Sequence, residues 1–527
     1  MASAIEAGVD NMRKGRPISI LKLALGIAGI MTLTMSAVVV GQPSSTITMG
    51  LTGEPPTLEP SVNSGTPQRS VKLLVYRGLF NYGPAGRPVA ELAQGYSISS
   101  DGKTYTIKLR NAKFQNGDPV TADDVVFTFD RIRDPKTGAT FASIFGVIDT
   151  VKAVDPTTVQ FVLKQPTAPF IDYLALPESI IVSRKWAQIQ GDNMSRIPMG
   201  AGPYRFVRWD RGQRIELQAF AGYYKPGLPR TREIVFEFYP DDTARVNALR
   251  AGDVDLIEYV PWQSIPTLKA DSRFALYPGT GPFMGIIFNT TYKPFADPRV
   301  RQAFAYAIDR RAILNTAFSG QGRPIFGMPM TPNMVGYSKA LDSYFKYDPQ
   351  KAKSLLAEAG YSEGFQARLL ATSQYAFHQQ TAVAIAAELK KVGVTVTLDL
   401  PDWATRLQKN LKGDYDFLVV GTAGDIVDPD FLSDYYASGP IRLNSAPGFS
   451  DPEMDRLLQL GRETVDPKVR SQYYVQLEQR ALELSPLVFL TWREQDYASS
   501  ARVRGFVNLP GFLSFQSGLT LELASKQ

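Results

Sequence analysis

Three carboxylates, Asp425, Asp428 and Asp430, close the run Gly413-Asp-Tyr-Asp-Phe-Leu-Val-Val-Gly-Thr-Ala-Gly-Asp-Ile-Val-Asp-Pro-Asp430. Acids this closely spaced can bind a cation, cap a helix or receive the positive end of a ligand. Asp428 stands before Pro429, the pairing favoured at a helix N-cap and first turn, and the helix dipole there also suits Asp430. Those two acids have structural work at the start of a helix over 429–436. A calcium loop would want a bidentate Glu at loop spacing, and none follows. Asp425 is left without structural work, beside Gly421 and Gly424. Residues 417–420 read as a strand buried on both faces, and open α/β sheets place ligands at the carboxyl ends of such strands. Asp425 is the acid expected to meet a ligand's positive charge.

Other motifs carry less. Gly360-Tyr-Ser-Glu-Gly364 matches the pattern around a hydrolase nucleophile, Ser362, but that chemistry needs a strand before the serine and a helix after it. Here a helix precedes and a strand follows. Gly102-Lys-Thr104 resembles the end of a phosphate loop but sits in a hairpin turn. There is no Cys and one His, His378, so disulfides, Cys-based zinc sites and thiol nucleophiles are excluded. His378 is expected as an exposed residue at a helix start, and no metal or cofactor is expected. Among the aromatics, Tyr375 and Trp403 lie beside strand ends and are the candidates for ligand contact.

The 527 residues, 44% of them apolar, suffice for two or three domains. Arg13, Lys14, Arg16 and Lys22 precede an uncharged apolar run over 23–40, which reads as a secretory signal, or as an uncleaved anchor. Removing residues 1–41 takes four basic and two acidic groups and brings the net charge from +6 to +4. That is mild for a body this large and does not point to nucleic acid.

The elements that must position these residues follow from pattern. Residues 45–51 alternate as a half-buried strand, and Asp101-Gly102 forms a two-residue turn between strands 96–98 and 104–109. Thr121-Ala-Asp-Asp124 caps a helix, and strands 150–154 and 158–163 complete a compact α+β unit over 76–196. Strands 204–207, 214–218, 233–238 and 254–258 follow, with a helix over 241–251 stopped by Gly252. Asp297-Pro298, Asp348-Pro349, Asp451-Pro452 and Asp466-Pro467 each open a helical period, as Asp428-Pro429 does. Strand 367–371, helix 379–391 and strand 394–400 make a βαβ unit, joined by strand 416–420.

Several segments together resemble the extracytoplasmic solute-binding proteins of family 5, which serve peptide/nickel-type ABC transporters. They include Glu54-Pro-Pro-Thr-Leu-Glu-Pro60, Ser100-Asp-Gly-Lys-Thr-Tyr-Thr-Ile-Lys-Leu-Arg110, Gly200-Ala-Gly-Pro-Tyr204 and Pro298-Arg-Val-Arg-Gln-Ala-Phe-Ala-Tyr-Ala-Ile-Asp-Arg310. Phe114-Gln-Asn-Gly-Asp-Pro-Val-Thr-Ala-Asp-Asp-Val-Val-Phe127 is the most specific of them. The matches run in family order from about residue 47 to 505.

The resemblance implies a mixed α/β, bilobed, type II-like periplasmic binding fold with an inserted α+β domain. Lobe I would comprise 42–75, 197–281 and 495–527, the insert 76–196 and lobe II 282–494. Ligand would lie between lobes that close by a hinge. It implies a non-enzymatic, periplasmic, monomeric protein that hands a peptide-like solute to the transmembrane subunits of an ABC permease. Thr422-Ala-Gly-Asp425 looks like the segment whose acid pairs with the ligand's α-ammonium. Backbone at Gly421, Thr422, Ala423 and Gly424, and at Gly53 and Glu54, would hydrogen-bond an extended ligand. The pattern departs at 372–379, where dipeptide binders carry an Arg for the ligand's carboxylate and this chain has none. A free dipeptide is therefore doubtful, and a single His fits nickel binding poorly.

Overall fold

In the computed structural model, which describes residues 46–527, the five Asp-Pro pairs named above open helical turns as the pattern requires. The Asp carboxylate accepts a backbone N–H of the first turn each time, from Arg299 for Asp297, Lys351 for Asp348, Asp430 for Asp428, Met454 for Asp451 and Lys468 for Asp466. Thr121 and Asp124 form the reciprocal capping box of helix Ala122–Arg133.

Three larger sheets collect the strands. Thr46–Leu51 lies inside a seven-stranded sheet, parallel to Glu233–Phe238 on one side and to Leu256–Ile257 on the other. Tyr204–Asp210 and Phe274–Tyr277 form its edges, and Tyr497–Ser500 brings the late chain back into it. A six-stranded sheet runs in the order Arg323–Pro324, Leu487–Glu494, Thr280–Phe288, Phe417–Thr422, Phe365–Leu370, Val394–Asp399. Its last two strands are the parallel pair of the βαβ unit, and Phe417–Thr422 joins them in parallel. A four-stranded antiparallel sheet takes Ala93–Ile98, Thr104–Leu109, Ile148–Asp155 and Thr158–Leu163.

The chain passes between the seven- and six-stranded sheets at two short connections, after Tyr277 and after Glu494. They are tied together: Gln495 N donates to Gly279 O at 2.7 Å, and Thr280 Oγ1 donates to Glu494 Oε1 at 2.8 Å.

Four expectations change in detail. Ser99 and Thr104 pair, so the hairpin loop is four residues rather than two, with Gly102 at a left-handed φ of 72°. The strand expected at 254–258 is only Leu256–Ile257, because Tyr259 turns to a φ of 50°. The helix after Asp428 begins as a 3-10 turn, Pro429–Leu432, before one α turn, Ser433–Tyr436. The helix expected from 379 starts at Ala376, with no side-chain cap on Tyr375. Among the described residues no helix is long and apolar enough to cross a membrane; the signal or anchor over 1–41 lies outside them.

Candidate solute-binding site

Asp425 follows the strand Phe417–Thr422, but it is not a free acid. Its Oδ1 takes a hydrogen bond of 2.9 Å from Arg69 Nη2, on helix Thr66–Val75. Arg69 also forks onto Glu178, with Nε and Nη2 each 3.1 Å from a carboxylate oxygen, and Lys72 Nζ reaches Glu178 at 3.2 Å. Two cations thus meet two anions, drawn from three separate stretches of chain. Glu178 is held below the usual carboxylate range: its burial works against this, but Arg69 and then Lys72 prevail. Burial pushes the Asp425 carboxyl up, opposed by Arg69. Its side chain is still 35% exposed, and Oδ2 has no hydrogen-bond partner among the described residues. One lone-pair face of this acid stays available. The expectation that Asp425 has no structural role is corrected by the Arg69 pair.

Asp428 and Asp430 do serve the fold, and beyond capping. Arg470 grips Asp428 with two bonds of 2.5 and 2.6 Å, while Asp430 receives Tyr173 Oη and, at 3.1 Å, Arg462 Nε.

The glycines do something other than expose backbone. Gly421 and Thr422 sit in the antiparallel ladder opposite Met284 and Phe283. A Cβ on Gly421 would lie 2.8 Å from Met284 Sδ and 3.0 Å from His378 Nε2. At Gly424 it would lie 2.6 Å from the Phe512 ring. Both positions let side chains of this same chain approach, which corrects the picture of a bare 421–424 edge. Ala423 is half-buried against the core, and Thr422 Oγ1 turns to Ala423 O. A Cβ on Gly53 would meet nothing within 4 Å. Glu54 is engaged elsewhere, accepting from Trp209 Nε1 at 2.8 Å, Arg211 Nη1 at 3.2 Å and Gly212 N at 3.1 Å.

Tyr375 and Trp403 come together as an edge-to-face pair, with ring centres 5.3 Å apart. Between them and the strand lies His378, which is 2% exposed rather than a surface residue. It packs on Phe377 at 4.7 Å and Trp403 at 5.8 Å. Burial, then Arg406 and Arg493, hold its pKa well below the usual value, so the ring is neutral, and Nδ1 has no partner among the described residues. Ser362 is an exposed residue in the turn between helix Pro349–Glu358 and strand Phe365–Leu370.

The residues that sequence reasoning missed are those two arginines. Arg493, 3% exposed, stands at the connection between sheets. Its guanidinium lies 5.9 Å from the centre of the Tyr259 ring and 4.9 Å from that of Phe377. Tyr259 belongs to the seven-stranded side, where Arg245 Nη2 fixes its carbonyl at 2.8 Å; Phe377 starts a helix of the other sheet. Arg493 Nη1 donates to Gln495 Oε1 at 3.0 Å, and among the described residues Arg493 has no carboxylate partner. Arg406, 2% exposed, lies 4.9 Å over the Trp403 ring and donates to Val419 O at 2.8 Å; burial pushes it down to about 10. A buried cation without a counter-charge costs several kcal/mol, and a cation–π contact returns only about 0.5–2 kcal/mol. The signal in the sequence was a charge ending an apolar strand, Leu487-Val-Phe-Leu-Thr-Trp-Arg493.

Comparison with known proteins now fixes the class. The family model for bacterial extracellular solute-binding proteins, family 5, matches residues 87–442. The chain belongs to that family. The glutathione-binding protein GsiB of Pectobacterium atrosepticum is 30% identical over 497 residues, 92% of this chain and 96% of GsiB. The solved PBP AgaA from A. tumefaciens R10, in complex with agropinic acid, is 49% identical with a TM-score of 0.85, covering 92% of this chain and 99% of AgaA. The dipeptide binding protein of Pseudoalteromonas sp. SM9913, in complex with Met-Leu, is 25% identical with a TM-score of 0.79, covering 92% of this chain and all of that one. The fold is that of the type II periplasmic binding proteins, and the chain is a substrate-binding component of an ABC importer.

Proposed function

We propose that this protein captures a peptide-like, amine-bearing solute between two lobes and presents it to the membrane permease. Lobe I would comprise 42–75, 197–281 and 495–527, lobe II 282–494, with 76–196 inserted. The observation that carries the reading is Asp425: a carboxylate at the meeting of three chain regions, fixed through Oδ1 by Arg69 and open through Oδ2. An ammonium at Oδ2 would form a charge-assisted bond sheltered from bulk water. Tyr375 and Trp403 would contact the solute beside it. Relatives that take glutathione, agropinic acid and Met-Leu support a small polar solute. The protein would work as a periplasmic monomer without catalytic turnover, its residues 1–41 removed on export; sequencing the mature N-terminus tests that removal.

Calorimetry with glutathione and Met-Leu tests the site. Asp425→Asn is expected to weaken the forms with a free α-amine more than tenfold and to leave their N-acetylated forms unchanged. Unchanged affinity for the free amines would remove Asp425 from the site.

A further inference from the structure

The negative end of such a solute has no place in the reading above, and the loop 372–379 offers no arginine. We infer that Arg493 is the anchor for a carboxylate of the solute, at the point where the chain crosses from one sheet to the other. This rests on the reading that a solute is held between the lobes, but not on Asp425 holding its amine.

Geometry carries the assignment. The Arg493 guanidinium has an aromatic ring from each side of the crossing, Tyr259 at 5.9 Å and Phe377 at 4.9 Å, so a group bound there touches both lobes. Three buried polar atoms converge on this region without partners among the described residues: Arg493 Nε, Gln495 Nε2 and His378 Nδ1. Arg493 and Gln495 are joined directly, and His378 packs on the same Phe377 that faces the guanidinium. A carboxylate matches this set because it is planar, fits between aromatic walls and accepts from a guanidinium fork through both oxygens. It also supplies the negative charge that the buried arginine lacks. Arg406 adds a second cation close enough to His378 to influence its ring. Because that ring is neutral, it contributes a polar contact and no further charge.

The strained backbone supports the same reading. Tyr259 is an aromatic residue at a left-handed φ of 50°, a conformation costly for a bulky side chain and concentrated at ligand sites. Arg245 holds it there through the carbonyls of Glu258 and Tyr259.

The test uses glutathione and Met-Leu, each as the free acid, the C-terminal amide or diamide, and the N-acetylated acid, titrated into the mature protein and its Arg493→Met and Arg493→Lys variants. Removing the carboxylate from the probe and the guanidinium from the protein should each cost at least tenfold in affinity, and doing both should cost little more than either. Arg493→Lys should recover part of the loss, since one donor point replaces a fork. Arg493→Met should melt no lower than the parent, which separates lost binding from lost folding. Equal affinity for acid and amide, an equal loss on both in Arg493→Met, or no binding of any free acid would overturn the proposal. N-acetylated acids that bind as well as free amines would remove the amine reading and leave this one standing.

Discussion

Two charged clusters draw distant parts of the chain together, and they are built on opposite principles. At Asp425 the charges close among themselves: Arg69 and Lys72 against Glu178 and Asp425, with distances of 2.9 to 3.2 Å. At Arg493 and Arg406 two buried guanidiniums stand against aromatic rings, carbonyl and amide oxygens, and among the described residues no carboxylate pairs with either. The first cluster is a latch between regions of one chain; the second has its electrostatics incomplete. The lesson is that a charged residue near a cleft is informative by whether its pairing ends within the protein. By that measure the acid first singled out by the sequence is the more conventional half, and the unpaired arginine carries the stronger signal.

The contrast breaks most visibly in stability. Arg69→Met leaves the buried Glu178 with only Lys72 to compensate and Asp425 without its cation, and should cost about 3–5 kcal/mol. That would appear as a large drop in the urea midpoint, whereas Arg493→Met should hold or raise it. If both substitutions lower the midpoint alike, the two clusters are not different in kind.

Acidity sharpens the contrast next. The pKa of Asp425 is raised by burial, so as pH falls a proton competes for its carboxylate at higher pH than for an ordinary Asp. Affinity for a free-amine probe should therefore decline on acidification, by up to tenfold per unit once Asp425 is protonated. An N-acetylated acid should not lose affinity over that range. Arg406 stays charged across this range, because even pushed down by burial to about 10 it lies above it, and His378 stays neutral, because burial holds it well below its usual value. Titration calorimetry across pH 4–7 reads both arms, and parallel curves would merge the two sites into one.

A substitution outside both clusters should do least. Asp348→Ala removes a helix cap that accepts from Lys351 N, and is expected to cost about 1 kcal/mol in urea unfolding with no change in solute affinity.

What the sequence by itself determined is whatever local chemistry dictates. The Asp-Pro caps, the Thr121 box, the βαβ unit and the buried strand ending at the glycines are each set by residues within a few positions of one another. Asp425 was legible for the same reason, as an acid that no neighbouring helix start could use. The tertiary structure alone decided its company. Arg69 lies 356 positions before Asp425, and Tyr259, Phe377 and Arg493 meet only because two strands cross between sheets. The loop 372–379 correctly showed no arginine; it could not show that a strand more than a hundred residues later brings one to the same helix start. Charge pairing over such separations depends on the fold, so only the fold could show which charges are left unpaired.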